Sequence, residues 1–148
     1  MNDMTGGCQC GAVRFRVRGE ASHAGICHCR MCQKAFGSFY APLVTVDEAV
    51  WTRGQPARFR SSSIAQRGFC RDCGTPLTYE PDDGKPELAI GAFDEPANLK
   101  PEIQVGLESR LPWLSELDAL PTHNAPDGDA GAAGRTGMRS FQHPDYDT

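Results

Sequence analysis

Seven cysteines in three tight groups constrain this chain more than any other feature: Cys8-x-Cys10 in GGCQCG, Cys27-x-Cys29-x-x-Cys32 in ICHCRMCQKAFGS, and Cys70-x-x-Cys73 in GFCRDCGTPL. Gaps of one or two residues aim sulfurs at a common point, which is the spelling of metal ligands. The odd number also leaves one thiol over in any all-disulfide scheme. Cys8, Cys10, Cys70 and Cys73 together supply four sulfurs. They predict a coordinatively closed zinc site that ties an N-terminal strand to a distant hairpin, with Gly74 in the tight turn after the second pair.

Cys27, Cys29 and Cys32 remain. Three protein ligands with a free fourth position is the arrangement of a catalytic zinc, whereas closure by His28 or His23 would make the site structural. The sequence leaves that choice open, although His28, set between two ligands, is expected to point away. Three thiolates give a zinc complex a net charge of −1, so water activation is weaker there than at a three-histidine site. A soft thiolate suits the fourth position. A thiol that loses its proton on binding is a nucleophile for a small carbonyl.

Between the cysteines the chain is strand-rich. In AVRFRVRG, Val13, Phe15 and Val17 alternate with Arg14, Arg16 and Arg18, predicting a half-buried strand with one apolar and one triply basic face. SFYAPLVTV, VWTRG, ARFRSS, the stretch into GFC, TPLTYE and PELAIGAF read as further short strands between Gly, Pro and Asp turns. RMCQKAF and WLSELDAL read as short helices. The expected fold is one mainly β, antiparallel domain whose modest core is supplemented by metal. At 148 residues and 39% hydrophobic the chain suits one core better than two. Residues 122–148, rich in Gly, Ala, Asp and Pro, are expected to be a disordered or loosely attached tail beyond a domain spanning 1–121, with Phe141 and Tyr146 as its candidate anchors.

Residues 1–75 hold ten Lys/Arg against five Asp/Glu, and residues 76–148 hold five against fourteen. The net charge of −4 argues against a nucleic-acid partner, and the basic first half is compatible with a basic pocket for a small acidic ligand. Neither a membrane partner nor a secretion signal is indicated, so the expected location is the cytoplasm, where thiols stay reduced.

In this order, GGCQCGAVRF, CHCRMCQKAFGS and GFCRDCGTPL, followed by AIGAFDEP and a Trp before a Leu-Pro end, resemble the glutathione-dependent formaldehyde-activating enzyme family over residues 6–121. The resemblance implies a zinc-stapled antiparallel β-tent and two Zn2+ per chain. One is structural, at the positions of Cys8, Cys10, Cys70 and Cys73. The other is catalytic, at those of Cys27, Cys29 and Cys32. It also implies the condensation of glutathione with formaldehyde to S-(hydroxymethyl)glutathione, formally a carbon–sulfur lyase reaction in reverse. The short stretch from Cys32 to Cys70 leaves little room for a peptide-binding insertion, so the thiol is specified as a small molecule, with glutathione as one candidate. Arg14, Arg16, Arg18, Arg58, Arg60 and Arg67 are candidate partners for its carboxylates. Ser61–Ser63 reads as a polar turn or edge, Phe36, Phe39, Tyr40, Trp51 and Phe59 as core or pocket wall, and Trp113 as core. The competing function is a non-enzymatic zinc-stapled binding module with both metals structural.

Overall fold

The computed structural model describes residues 4–122 and 139–148. The Val13–Phe15–Val17 alternation is realised against a short first strand, β1 (Thr5–Gly7), in a long second one, β2 (Arg14–Cys27). Phe15 is fully buried and Val13 and Val17 nearly so. Helix α1 (Arg30–Phe36) follows, then β3 (Ala41–Arg53), β4 (Ala57–Ser62), β5 (Ala65–Phe69), β6 (Pro76–Pro81), β7 (Glu87–Ala89) and β8 (Ile103–Val105). The sheet runs β1-β2-β3-β7-β6-β5-β4 with antiparallel neighbours. β8 adds in parallel to the Cys27 end of β2, on Gly25, Ile26 and Cys27. The fold is the expected mainly β, antiparallel single domain.

Several elements differ in detail from expectation. SFYAPLVTV and VWTRG merge into the single strand β3, which pairs with almost the whole of β2. PELAIGAF yields three strand residues and then a 3-10 turn, Ile90–Ala92. The helix expected at WLSELDAL is a 3-10 segment, Pro112–Ala119, that buries Leu114. IQV, which carries no strong strand signal, becomes β8 because β2 offers it an open edge.

Buried residues form two groups. The larger contains Phe15, Val44, Val46, Leu77, Leu88 and Phe93, together with Cys8 and Cys70. Each fully buried side chain of this size contributes about 1.5–3 kcal/mol. The smaller group is Cys32, Ala41 and Leu43, with Cys27, Cys29 and Tyr79 packed against it. Leu43 and Val44 are consecutive in β3 and belong to different groups, as the alternation of a strand requires.

The triply basic face is not realised. Arg14 is 2% exposed and forks onto Asp94, with Nη1 and Nη2 donating to its two carboxylate oxygens at 2.8 and 2.6 Å. A bridge between Gly6 and Phe93 and a donation from Asp94 N–H to the Thr5 carbonyl bring this carboxylate to β2 from 80 residues away, which strand alternation cannot register.

Of the tail expected from residue 122, residues 123–138 lie outside the described residues. Residues 139–148 meet the body through backbone and polar groups. His143 N–H donates to the Gln9 carbonyl, the Tyr146 carbonyl accepts from Arg14, Asp147 pairs with Arg16, and the Thr148 carbonyl accepts from Arg53. The rings of Phe141 and Tyr146 are exposed.

Candidate metal centres

The four-cysteine group is assembled by two turns at the edge of the main core. At the first, Cys8 N–H donates to the Val13 carbonyl and Val13 N–H to the Cys8 sulfur. At the second, Cys70 and Thr75 bond through their backbones, and Gly74, at φ +80°, gives its N–H to the Cys70 carbonyl. The glycine therefore shapes the turn and makes no bond to sulfur. Four sulfurs around zinc, each about 2.3 Å from the metal, lie about 3.8 Å from one another. Here Cys8 and Cys10 are 3.6 Å apart and Cys10 and Cys70 3.9 Å, and all four lie within 4.8 Å. The set fits a tetrahedral ion, and no cysteine of the chain is in a disulfide.

The three-cysteine group is built at the point where β2 passes into α1. Cys27 ends the strand, and Cys29 is the helix N-cap, its sulfur accepting the Cys32 N–H at 3.4 Å. Cys32 lies in the first turn, and the three sulfurs fall within 4.8 Å of one another. Neither histidine joins them. The buried His28 ring is hydrogen-bonded through Nε2 to Gln104 at 2.8 Å, and the exposed His23 bonds to Ser22. Among the described residues no fourth His, Cys, Asp or Glu completes the group.

The segment after β7 clamps this loop. His28 N–H donates to the Val105 carbonyl, and Gln33 Nε2 donates to the carbonyls of His28 and Ser109. Gly106, at φ +69°, lies so close that a Cβ there would stand 2.8 Å from the Cys29 nitrogen. On another side Arg67, 4% exposed, donates from Nη2 to the Cys32 sulfur at 3.2 Å and from Nε to Ser61 Oγ at 2.9 Å, and stacks over the Tyr79 ring.

These surroundings set the thiols apart. Burial pushes both Cys8 and Cys32 up to about 12, in the latter case against the pull of Arg67, so a metal must displace a firmly held proton at each. Burial also raises Cys27. At Cys29 burial acts upward but is outweighed by the backbone N–H groups of Cys32 and Met31 and by the neighbouring thiols, leaving it lowered. At Cys73 burial is likewise outweighed, chiefly by the hydroxyl and N–H of Thr75, and the thiol falls to about 6.

Five of the six arginines expected to receive a substrate's carboxylates have other partners. Arg14 and Arg16 hold Asp94 and Asp147, while Arg58 and Arg60 hold Glu80 and Asp82. Arg18 is exposed on the strand, and Arg67 faces a sulfur. Among the aromatics, Trp51 packs edge-on to Phe15, but Phe39, Phe59 and Trp113 are 40–47% exposed. Phe39 and Trp113 form an edge-to-face pair, centroids 4.8 Å apart. Gln33, Gln104, Gly106 and the placement of Arg67 escaped sequence reasoning, since each acts through a partner more than thirty residues away.

Among the described residues no helix is long and apolar enough to cross a membrane. A relative from Schizosaccharomyces pombe, named an uncharacterised lyase, is 31% identical over 100 residues, covering 63% of this chain and 69% of its own. The crystal structure of a Rhodobacter sphaeroides protein superposes with a TM-score of 0.54 at 22% identity, over 69% of this chain and all of that one, and shares the fold. The model of the glutathione-dependent formaldehyde-activating enzyme family matches residues 3–109, a span holding both cysteine groups, and the chain belongs to that family.

Proposed function

We propose that this protein is a zinc-dependent carbon–sulfur lyase and synthase that joins a small thiol to a small carbonyl, with glutathione and formaldehyde as the first pair to try. The observation that carries the reading is the inequality of the cysteine groups: four sulfurs at one, three at the other with both histidines engaged elsewhere. In this reading Cys8, Cys10, Cys70 and Cys73 hold a structural Zn2+, and Cys27, Cys29 and Cys32 a catalytic one. Zinc at the second group would supply affinity for a soft thiolate at its fourth position. The chain's residues hold the geometry: Gln33, Gln104 and the Val105 carbonyl fix the loop on either side of Cys29. Formation of the adduct makes one carbon–sulfur bond and moves the thiol proton to the former carbonyl oxygen, with no change of oxidation state. Seven cysteines without a disulfide support work in a reducing compartment such as the cytoplasm.

Two-dimensional exchange NMR of glutathione, formaldehyde and their adduct tests the reaction. Cross-peaks between free and adduct signals should strengthen in proportion to added protein and return to the uncatalysed level with the Cys29→Ser variant. Exchange unchanged by metal-replete protein with all small thiols tried would leave the binding-module function in its place.

A further inference from the structure

A buried guanidinium needs a counter-charge, and Arg67 has an unusual one. It is 4% exposed, and among the described residues no carboxylate lies within 4 Å of it. Nη2 instead donates to the Cys32 sulfur at 3.2 Å. Ser61 at Nε and the Tyr79 ring beneath hold the group in that pose, while Nη1 is buried with no partner among the described residues. A buried charged donor without an acceptor is costly unless a further acceptor comes to it. At the four-cysteine group, among the described residues, no guanidinium donates to a sulfur: Arg14, whose charge Cys8 feels, is forked onto Asp94, and the donors there are backbone N–H groups, those of Val13 and Thr75 among them, and the Thr75 hydroxyl.

Charge counting gives the arrangement a purpose. A divalent ion on Cys27, Cys29 and Cys32 thiolates carries −1, and a second anion as fourth ligand would raise this to −2 in a half-buried site. With Arg67 included the same assembly runs from 0 to −1; Glu87, the carboxyl that also feels the Arg67 charge, lies beyond 4 Å of it and is pushed by burial toward its neutral form. We propose that Arg67 is a positioning residue whose buried guanidinium, anchored by Ser61 and Tyr79, makes the three-cysteine metal site accept an anionic fourth ligand, a thiolate or a comparable soft anion. This rests on the reading of that site as an open metal centre and adds what selects its ligand. An opposite charge within about 4–6 Å favours a charged form by 1–3 pKa units, and Arg67 acts from one sulfur further off, so an effect near tenfold is expected.

The test uses protein loaded with Co2+ at both sites, titrated with azide, 2-mercaptoethanol and imidazole while the visible bands report the three-cysteine site. Arg67→Met should weaken azide and the thiolate about tenfold or more, leave imidazole within about twofold, and keep two Co2+ per chain. Arg67→Lys should recover most of the anion affinity. Equal losses for azide and imidazole, or no loss for either, would overturn the proposal. Should Arg67→Met fail to load metal, Ser61→Ala, which releases one anchor of the guanidinium, replaces it: anion affinity should fall with imidazole unchanged, and the opposite pattern overturns the idea. Loss of the NMR exchange activity with Arg67-dependent anion binding intact would remove the proposed reaction and leave this inference. Retained activity with Arg67-independent binding would do the reverse.

Discussion

The two cysteine groups use the same ligand chemistry in opposite structural settings. Cys8 and Cys70 are part of the main hydrophobic core, and the group they belong to joins turns 60 residues apart. Cys27, Cys29 and Cys32 come from one strand-to-helix turn, pack on a minor cluster, and depend on Gly106, Gln33 and Arg67 to hold their shape. Sequence spacing distinguishes four sulfurs from three, but the roles proposed for them, staple and site, rest on the difference in environment. One sets Cys8 and Cys70 into the aliphatic core while Cys10 stays exposed, and the other is ringed by polar groups that bond to its loop and its sulfur.

Removing one ligand from each is the strongest way to break this contrast. Cys70→Ser should abolish cooperative folding or lower the melting temperature by more than about 10 °C, since a structural metal site contributes its binding energy to folding. Cys29→Ser should fold and retain one metal per chain. Elemental analysis beside circular dichroism melts checks both, and the reverse ranking would exchange the roles.

Next in size is Asp94→Asn, which leaves Arg14 buried without its carboxylate near the four-cysteine turn. A cost of about 3 kcal/mol is expected. Burial raises the Asp94 carboxyl, but Arg14 and Thr5 outweigh it and hold it below its ordinary range. Because the folded value is the lower one, the stabilisation is present above pH 4 and is lost as pH falls through the folded value. Denaturant melts of both proteins should therefore differ most near neutrality and converge in acid.

Gly106→Ala sharpens the comparison from the other side. A Cβ 2.8 Å from the Cys29 nitrogen at φ +69° should cost about 1–2 kcal/mol and lower metal occupancy at the three-cysteine group alone. Co2+ titration resolves the two sites. The smallest effect is expected from deleting residues 139–148, whose bonds to Gln9, Arg16 and Arg53 are peripheral and whose loss of contact with Arg14 leaves the Asp94 fork in place: about 1 kcal/mol, roughly 3 °C in melting temperature. Exposed Cys10 should then be alkylated faster, with the three-cysteine group unaffected.

How much of this was legible in the sequence follows from range. Val13, Phe15 and Val17 declare a strand, and Cys27, Cys29 and Cys32 declare a shared centre, because period and spacing are local. Arg14 reads as solvated since its partner Asp94 is 80 residues away. Arg67 reads as a surface cation for the same reason, its sulfur partner being 35 residues back. Trp113 looks like core by size and Phe39 like core or pocket wall, yet the two rings pack edge-on to each other at the surface. WLSELDAL has helical spacing, but Leu114 alone is buried along it, too little apolar contact to hold α-helical turns.

The 60-residue separation between Cys10 and Cys70 also imposes an order on assembly. Bringing those sulfurs together closes a long loop, whereas Cys27 and Cys32 are neighbours before the chain has folded at all, and the difference in closure entropy is about 2 kcal/mol. On the proposed reading the local trio would be able to take an ion while the polypeptide is still being made. The distant quartet can close only once the β5–β6 hairpin has arrived, so sulfurs that begin as neighbours meet well before those that must be carried to each other.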